Sequence, residues 1–396
     1  MTAAGRKRIW AVVRLILCAA FIYLAVRGVT LRDRITVTGA DGVERSVRLV
    51  EETETGVVVQ DADGAQAEVP WAQVAREPDG APKIERGLIT ALRSVNPLHL
   101  GLGLLIFAPV TFLQSARFRM MLHTQDIRIT YWESVKLCFA GNFLNFVFLV
   151  GSTAGDVYKA FYTAKQTPKK TEAVTTILLD RIVGMMGLVI VAGLMSFVGT
   201  SNPTLHRLGI MALVLIGCAL VGLWMVSSGR TPAALIRKLV LRLPGAAVLE
   251  RVLAATERLA ADRGRLAACL GIATVLQFFA IGAEVTLAFA LGMDFSGGKT
   301  WDYFAYIGGG HLVAAIPITA QGLGTMELAF KHFFLGTYGT LAQLLCLALW
   351  IRLMNLIWSL PGALVLLFGD HRPGRLNALD PATAGLETPN TSEAAG

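Results

Sequence analysis

Long apolar segments alternate with shorter charged segments along most of the chain. Six of the apolar segments approach or exceed the roughly 17 residues that an α-helix needs to cross a bilayer. They occupy residues 9–26, 98–114, 173–198, 208–226, 266–291 and 341–368. Of the 396 residues, 54% are hydrophobic and only 16% are charged, whereas soluble domains average about 25% charged residues. The pattern therefore predicts an all-α polytopic membrane protein with about six full spans.

Residues 28–97 follow a different pattern, in which apolar and polar residues alternate over short stretches. This alternation predicts β-strands. The predicted strands are Ile35–Thr38, Val43–Val50, Gly56–Gln60 and Ala67–Val74, with the turn sequences GADG and DADG between them. We expect a small β-rich extracytoplasmic module that separates an N-terminal transmembrane helix, residues 1–27, from a membrane domain, residues 98–368. The module contains no catalytic cluster, which favours a spacer or interaction role.

Lysine and arginine outnumber aspartate and glutamate by 36 to 28, and the basic residues are concentrated in a few loops. They precede the first span, follow the second span at Arg117, Arg119 and Arg128, and recur through residues 229–265. Loops rich in lysine and arginine stay on the cytoplasmic side. We therefore place both termini in the cytoplasm and expect the polar tail, residues 369–396, to be disordered. Contact with an anionic leaflet explains the positive charge better than nucleic-acid binding does.

Two further apolar regions, residues 132–165 and 303–336, are interrupted by glycine. If the first of them crossed the membrane completely, Lys159, Lys165 and their basic neighbours would lie outside the cell. The orientation of every later loop would then invert, and the basic loop at 229–265 would also lie outside. The positive-inside rule therefore predicts two re-entrant helical hairpins that enter from opposite faces. An up-and-down bundle with eight crossings is the competing arrangement.

Each predicted hairpin has a break followed by a carboxylate. The break residues are Gly151 and Gly155 in the first hairpin, and Pro317, Gly322 and Gly324 in the second.

The carboxylates that follow the breaks share one spacing. Asp156 precedes Arg181 by 25 residues, and Glu327 precedes Arg352 by 25 residues. Each arginine lies in the next full span. Matching breaks on opposite faces of the membrane are typical of an inverted repeat, as in many transporters.

Charged residues at membrane depth cost about 2.5–3.5 kcal/mol each on insertion scales, so they usually mark function. Helix N-termini attract anions, and the planar fork of arginine fits phosphate oxygens. We therefore predict a lipid-headgroup site, which consists of Arg181, Arg352, Asp156, Glu327, Lys159 and Asn355. Asp180 and Glu284 are further intramembrane charges. The alternatives are structural ion pairs, Asp180–Arg181 and Glu327–Arg352, or proton coupling through Asp156, Glu284 or Glu327.

The sequence has no pattern that indicates an enzyme. Its five cysteines lie in apolar segments without metal-ligand spacing, and its six histidines are scattered. It contains no phosphate-binding loop and no nucleophile elbow. We therefore expect no metal, no cofactor and no enzymatic activity.

Three stretches resemble the membrane domain of lysylphosphatidylglycerol synthases and the wider flippase-like family: NFLNFVFLVGSTAGDVYKAFYTAK, AVTTILLDRIVGMMGLV and IPITAQGLGTMELAF. The resemblance extends from about residue 98 to 368. The family pattern is close to P-G-x-x-G-G-D, then R-x-x-G, then P-x-x-x-G-G-x-G-x-x-E. Matching positions are Gly151, Gly155, Asp156, Arg181, Gly184, Pro317, Gly322, Gly324 and Glu327. Val150 stands in place of the proline, and Ala154 and Gln321 stand in place of glycines.

The resemblance implies a lipid-translocating protein of the bacterial cytoplasmic membrane. Its substrate would be a phospholipid or a lipid-linked precursor with an anionic or aminoacylated headgroup. The 28 residues after the last span are too few for the aminoacyl-transferring domain of the synthases. We expect membrane lipids as partners, together with a separate lipid-modifying or glycosyl-transferring enzyme. The alternative function is a non-transporting scaffold that recruits an envelope partner through the β-rich module.

Overall fold

The computed structural model describes most of the chain between residues 16 and 368. The described residues are 16–17, 19–38, 44–61, 64–76, 82–147, 153–167, 169–199, 203–227, 254, 257–259, 261–316 and 319–368. Two predicted break residues, Gly151 and Pro317, lie outside this set, as do the tail at 369–396 and most of the basic loop at 229–265.

Helices account for most of the described residues. They are α1 (residues 19–26), α2 (Leu88–Arg93), α3 (Pro97–Phe107), α4 (Pro109–Thr124), α5 (Tyr131–Val147), α6 (Ala154–Lys165), α7 (Lys170–Val198), α8 (Pro203–Ser227), α9 (Arg263–Ala290), α10 (Thr300–Ala315), α11 (Thr325–Phe334) and α12 (Leu341–Phe368).

Four helices in the described part of the chain are long and apolar enough to cross a membrane. They are Pro97–Thr124, which combines α3 and α4, Lys170–Val198, Arg263–Ala290 and Leu341–Phe368. They coincide with four of the six predicted spans and confirm a multi-pass membrane protein. A shorter apolar helical stretch, Leu205–Cys218, lies within α8.

The helix of the second predicted span is longer than the sequence indicated. It continues through Pro109, which begins α4, and ends at Thr124. Proline is tolerated there because the first turn of a helix does not need its amide hydrogen. Arg117 and Arg119 therefore lie within a helix rather than in a loop beyond it. Arg117 is buried, with 4% of its surface exposed.

The β-rich module is a five-stranded antiparallel sheet in the order β4-β3-β2-β1-β5. Its strands are β1 (Arg34–Thr38), β2 (Glu44–Glu52), β3 (Gly56–Gln60), β4 (Gln66–Pro70) and β5 (Ile84–Glu85). Ile35, Val57 and Val59 are buried in its small apolar core. The first three predicted strands are confirmed almost to the residue. The fourth ends early because Trp71–Gln73 form a 3₁₀ turn.

Helices α5 and α6 form a first hairpin. They contain 17 and 12 residues, which correspond to about 25 and 18 Å at 1.5 Å per residue. Both are shorter than the roughly 30 Å hydrocarbon core of a bilayer. Near the tip, Gly155 lies directly against the backbone of Gly141, where a Cβ atom has no room. The Gly155 amide donates to Asn145 Oδ1 at 2.8 Å.

Helices α10 and α11 form a second hairpin of the same kind, with 16 and 10 residues. These lengths correspond to about 24 and 15 Å. Gly310 lies against the ring of Phe330, and Gly322 lies against Ala314. The described residues thus contain two short hairpins, each followed by a long helix.

Each hairpin packs against the long helix that follows the other hairpin. α10 packs on α7, and Gly308 faces Ala192 at that contact. α5 packs on α12, where Gly362 lies against the carbonyl of Phe139. α9 packs against α3, α4 and α7 and joins the two halves. Small residues at these contacts let the backbones approach closely, as is common where helices associate in membranes.

The contact at Gly362 generates a prediction about stability. Gly362→Ala places a Cβ atom against the Phe139 carbonyl, and such overpacking costs about 1–3 kcal/mol. We expect a lower thermal unfolding midpoint for the detergent-purified variant. Gly271→Ala is the matched control, because Gly271 lies in the long helix α9 with nothing near its Cβ position. Equal midpoints for the two variants would show that the α5–α12 contact is not tight.

Candidate functional site

A cavity of about 390 Å³ lies where the tips of the two hairpins meet. Five parts of the chain supply its wall: the α3–α4 helix, the end of α5, the end of α10, the loop before α11 and the middle of α12. The lining residues are Phe107, Val110, Thr111, Gln114, Asn142, Asn145, Phe146, His311, Ala314, Ala315, Gln321, Asn355, Trp358 and Ser359.

The described residues that line the cavity combine apolar and polar side chains but include no lysine, arginine, aspartate or glutamate. Its polar side chains are mostly amides. Asn142 Nδ2 donates to Gln114 Oε1 at 3.1 Å, and Asn355 Nδ2 donates to the Ile351 carbonyl at 2.8 Å. The amide groups retain further donors and acceptors, because each primary amide has two N–H donors and one carbonyl oxygen. The cavity can therefore bind polar groups inside an apolar bundle.

A network of Arg352 and Glu327 holds the tip of the second hairpin. Glu327, in the first turn of α11, accepts from the Gly324 amide at 2.8 Å. Arg352 Nη2 donates to Glu327 Oε1 at 2.8 Å. The same guanidinium reaches the carbonyls of Gln321 and Gly322 at 3.4 and 3.5 Å. The tip backbone, which bends through positive φ at Gln321, Gly322 and Gly324, is thus tied to α12.

The first hairpin carries a corresponding ion pair. Asp156 lies in the first turn of α6 and accepts a hydrogen bond from Arg181 Nε of α7. The structure therefore brings Asp156 to Arg181 and Glu327 to Arg352, the two pairs with the 25-residue spacing. Arg181 is more exposed than Arg352, with 39% against 21% of the side chain accessible. Neither arginine lines the cavity.

Asp180 pairs with Arg117 and not with its neighbour Arg181. Arg117 Nε lies 2.8 Å from Asp180 Oδ1, and the two side chains are only 5% and 8% exposed. The predicted Asp180–Arg181 pair is wrong, because adjacent helical residues project about 100° apart. The predicted loop position of Arg117 is also wrong. Arg117 lies within helix α4, where the buried Asp180 carboxylate compensates its charge.

Two other predicted charges lie in different surroundings. Glu284, only 2% exposed, is bonded to His311 Nε2 at 2.6 Å, and His311 lines the cavity. Lys159 is 4% exposed and is not among the residues that line the cavity, and its Nζ lies 5.6 Å from the ring centre of Phe118. Asn355 is the predicted headgroup residue that lines the cavity directly.

Sequence reasoning missed several residues of the cavity wall. They are Gln114, Asn142, Asn145, His311 and Gln321. The sequence GNFLNF did contain a signal, since its two asparagines lie one helical turn apart in an apolar segment. Gln321 also stands in place of a glycine of the family pattern. Among the described residues, no group of histidine, cysteine, aspartate and glutamate has the arrangement of a metal site.

Comparison with known families decides the relationship that the motifs suggested. Residues 86–362 match the family model described as the lysylphosphatidylglycerol synthase TM region. The chain belongs to this family. Neither curated proteins nor solved structures gave a match. The lysylphosphatidylglycerol synthase TM region begins directly after β5, so the sheet lies outside the matched part.

The buried Arg117–Asp180 pair generates a second prediction. Removing one partner leaves an uncompensated buried charge, which costs about 3–5 kcal/mol. We expect Arg117→Leu and Asp180→Leu each to lower the thermal unfolding midpoint strongly. The double variant Arg117→Leu/Asp180→Leu has no unpaired charge and should recover much of the loss. A double variant as unstable as the sum of the two single variants would contradict a direct ion pair.

Proposed function

We propose that the protein moves a membrane lipid between the two leaflets and that the headgroup passes through the cavity between the hairpin tips. The cavity itself carries the proposal. Polar groups at membrane depth are costly and are tolerated where they line a cavity or a pathway. Here eight polar residues from both hairpins and two long helices line one cavity.

The arrangement of the hairpins supports the proposal. In the proposed topology both hairpins are re-entrant and enter from opposite faces, which makes the two halves an inverted repeat. Transporters with such repeats bind their substrates near the membrane midplane, where broken helices meet. The proposed location is the bacterial cytoplasmic membrane, with both termini in the cytoplasm and the β-rich module outside. Six full spans complete this topology.

The predicted site residues divide into two proposed roles. Asn355 contacts the headgroup, because it lines the cavity. Arg352 and Glu327 stabilise the second tip without lining the cavity, and the Arg181–Asp156 pair joins the first hairpin to α7. These four residues would meet a headgroup directly only when their ion pairs open. Lys159, which is buried against Phe118, supports the first hairpin in this proposal.

The proposed partners are membrane lipids and a separate enzyme that produces or modifies the transported lipid. The protein itself would have no enzymatic activity. A scaffold function is the second candidate, and one observation favours it: the sheet folds around its own apolar core outside the family region. In that case the module would recruit an envelope partner.

Leaflet exchange in reconstituted vesicles tests the proposed function. The assay uses a fluorescent phospholipid and a fluorescent glycolipid in parallel. We expect Arg352→Ala to abolish whatever exchange the wild-type protein shows, because the second tip loses three tethering contacts. Asn355→Ala should slow exchange about tenfold through the loss of a headgroup contact. Arg207→Ala is the control, since Arg207 is an exposed residue of α8 that does not line the cavity.

The same assay separates the two candidate functions. Replacing residues 34–85 with a short glycine-serine linker should leave exchange unchanged if the protein translocates lipid. Wild-type exchange rates in both Arg352→Ala and Asn355→Ala, with the folded state verified by size-exclusion chromatography, would contradict the proposed role of the tips. Absence of exchange in the wild-type protein would favour the scaffold.

Cysteine labelling tests the proposed topology. In a background without the native cysteines, Gln166→Cys and Ser296→Cys place single thiols at the exposed ends of the two hairpins. We expect a membrane-impermeant maleimide to label Cys at 296 from outside intact cells and Cys at 166 only after permeabilisation. Labelling of both positions from outside would refute opposite-facing re-entrant hairpins.

A further inference from the structure

The charges near the cavity face each other and not its interior. Arg352 is bonded to Glu327, with the two side chains 21% and 13% exposed. His311 reaches the cavity wall, but its Nε2 is bonded to the buried Glu284. Among the described residues that line the cavity, a charged headgroup would therefore meet no lysine, arginine, aspartate or glutamate side chain.

The cost of desolvation links the lack of charged lining residues to the kind of headgroup that the cavity can accept. A phosphate or ammonium group buried without a compensating charge loses far more hydration free energy than hydrogen bonds to neutral groups return. A hydroxyl group carries no charge, so its smaller desolvation cost can be offset by one donor and one acceptor partner. Amide side chains supply both, and Gln114, Asn142 and Asn355 present them on the wall.

Gln321 is the most unusual residue of the wall. Its backbone has φ 52° and ψ 30°, a left-handed conformation that non-glycine residues adopt at an energetic cost. A glycine would adopt it without that cost. Its side-chain Nε2 is buried and has no hydrogen-bond partner among the described residues. Gln321 lines the cavity, so a rotation of its side chain would turn this unsatisfied donor toward a ligand acceptor.

Aromatic groups complete the wall. Phe107, Phe146 and Trp358 line the cavity beside the amides. The Trp358 indole N–H is already bonded to the Leu104 carbonyl at 3.0 Å, so the ring contributes mainly apolar surface. Apolar rings beside amides suit a group that has both C–H surfaces and hydroxyl edges.

We infer that the cavity accepts an uncharged, hydroxyl-rich headgroup of the glycerol or sugar class, and that Gln321 is the specificity-determining donor to it. The inference rests on the proposed function and gives it a substrate class. It departs from the anionic or aminoacylated headgroup that the family resemblance implies. A lipid phosphate, where one is present, would stay outside the amide-lined part of the cavity.

Binding to the full chain in phosphatidylcholine nanodiscs tests the inference. Four probe lipids are titrated by mole fraction: glucosyl diacylglycerol, diacylglycerol without a headgroup, phosphatidic acid, and a lipid with a trimethylammonium headgroup. Binding to the folded state raises the thermal unfolding midpoint in a saturable manner. We expect only glucosyl diacylglycerol to do so.

Gln321→Gly separates a binding role from a structural one. Glycine relieves the backbone strain, so the variant without ligand should unfold at the same temperature as the wild type or higher. Its affinity for glucosyl diacylglycerol should fall about five- to tenfold through the loss of one hydrogen bond. Gln277→Ala is the control, because Gln277 is an intramembrane amide that donates to Gly184 and does not line the cavity. It should bind like the wild type.

Each contrary outcome overturns a different statement. Tighter binding of phosphatidic acid or the trimethylammonium lipid would overturn the uncharged class. Unchanged affinity in Gln321→Gly, or a lower unfolding temperature without ligand, would overturn the role of Gln321. Saturable glucosyl diacylglycerol binding without leaflet exchange would refute translocation and leave the binding site intact. Exchange of phosphatidic acid that is insensitive to Gln321→Gly would leave translocation intact and refute the substrate class.

Discussion

A helix that stops inside an apolar bundle leaves backbone amides and carbonyls without partners, and this structure depends on how those groups are satisfied. At the first tip, Asn145 Oδ1 accepts a hydrogen bond from the Gly155 amide. At the second tip, Glu327 accepts a hydrogen bond from the Gly324 amide, and Arg352 donates to the carbonyls of Gln321 and Gly322. The charged residues of the second tip are therefore part of the hydrogen bonding of the backbone. What remains polar at the tips opens onto one shared cavity.

Close contacts between helices determine where the tips lie. In lipid no hydrophobic force drives helices together, so van der Waals packing and interhelical hydrogen bonds must do so. Gly141 and Gly155 bring the two arms of the first hairpin into backbone contact, and Gly308 and Gly362 bring each hairpin onto a long helix. Because backbones cannot approach further, these contacts limit how far the cavity can collapse.

The sequence was informative wherever a regular pattern existed. Apolar segment length located four long helices, alternation located the sheet, and equal spacing anticipated the partners of Asp156 and Glu327. Arg117 and Asp180 are 63 residues apart and belong to no repeat, so only the packing of α4 against α7 reveals their pairing. The cavity was equally hidden, because its neutral amides come from five parts of the chain. Neutral amides carry no periodic signature, whereas intramembrane charges attract attention at once.

The exchange of partners between the two halves has a consequence for biosynthesis. Phe139 of α5 rests on Gly362 of α12, which is synthesised more than 200 residues later. The first hairpin therefore leaves the ribosome long before its main packing surface exists, with only its own arms, α4 and α7 to cover it. Insertion of the last helix covers α5 and brings Asn355 to the cavity wall. The cavity is thus among the last features to form, and truncation near the C-terminus would remove it while leaving most spans in place.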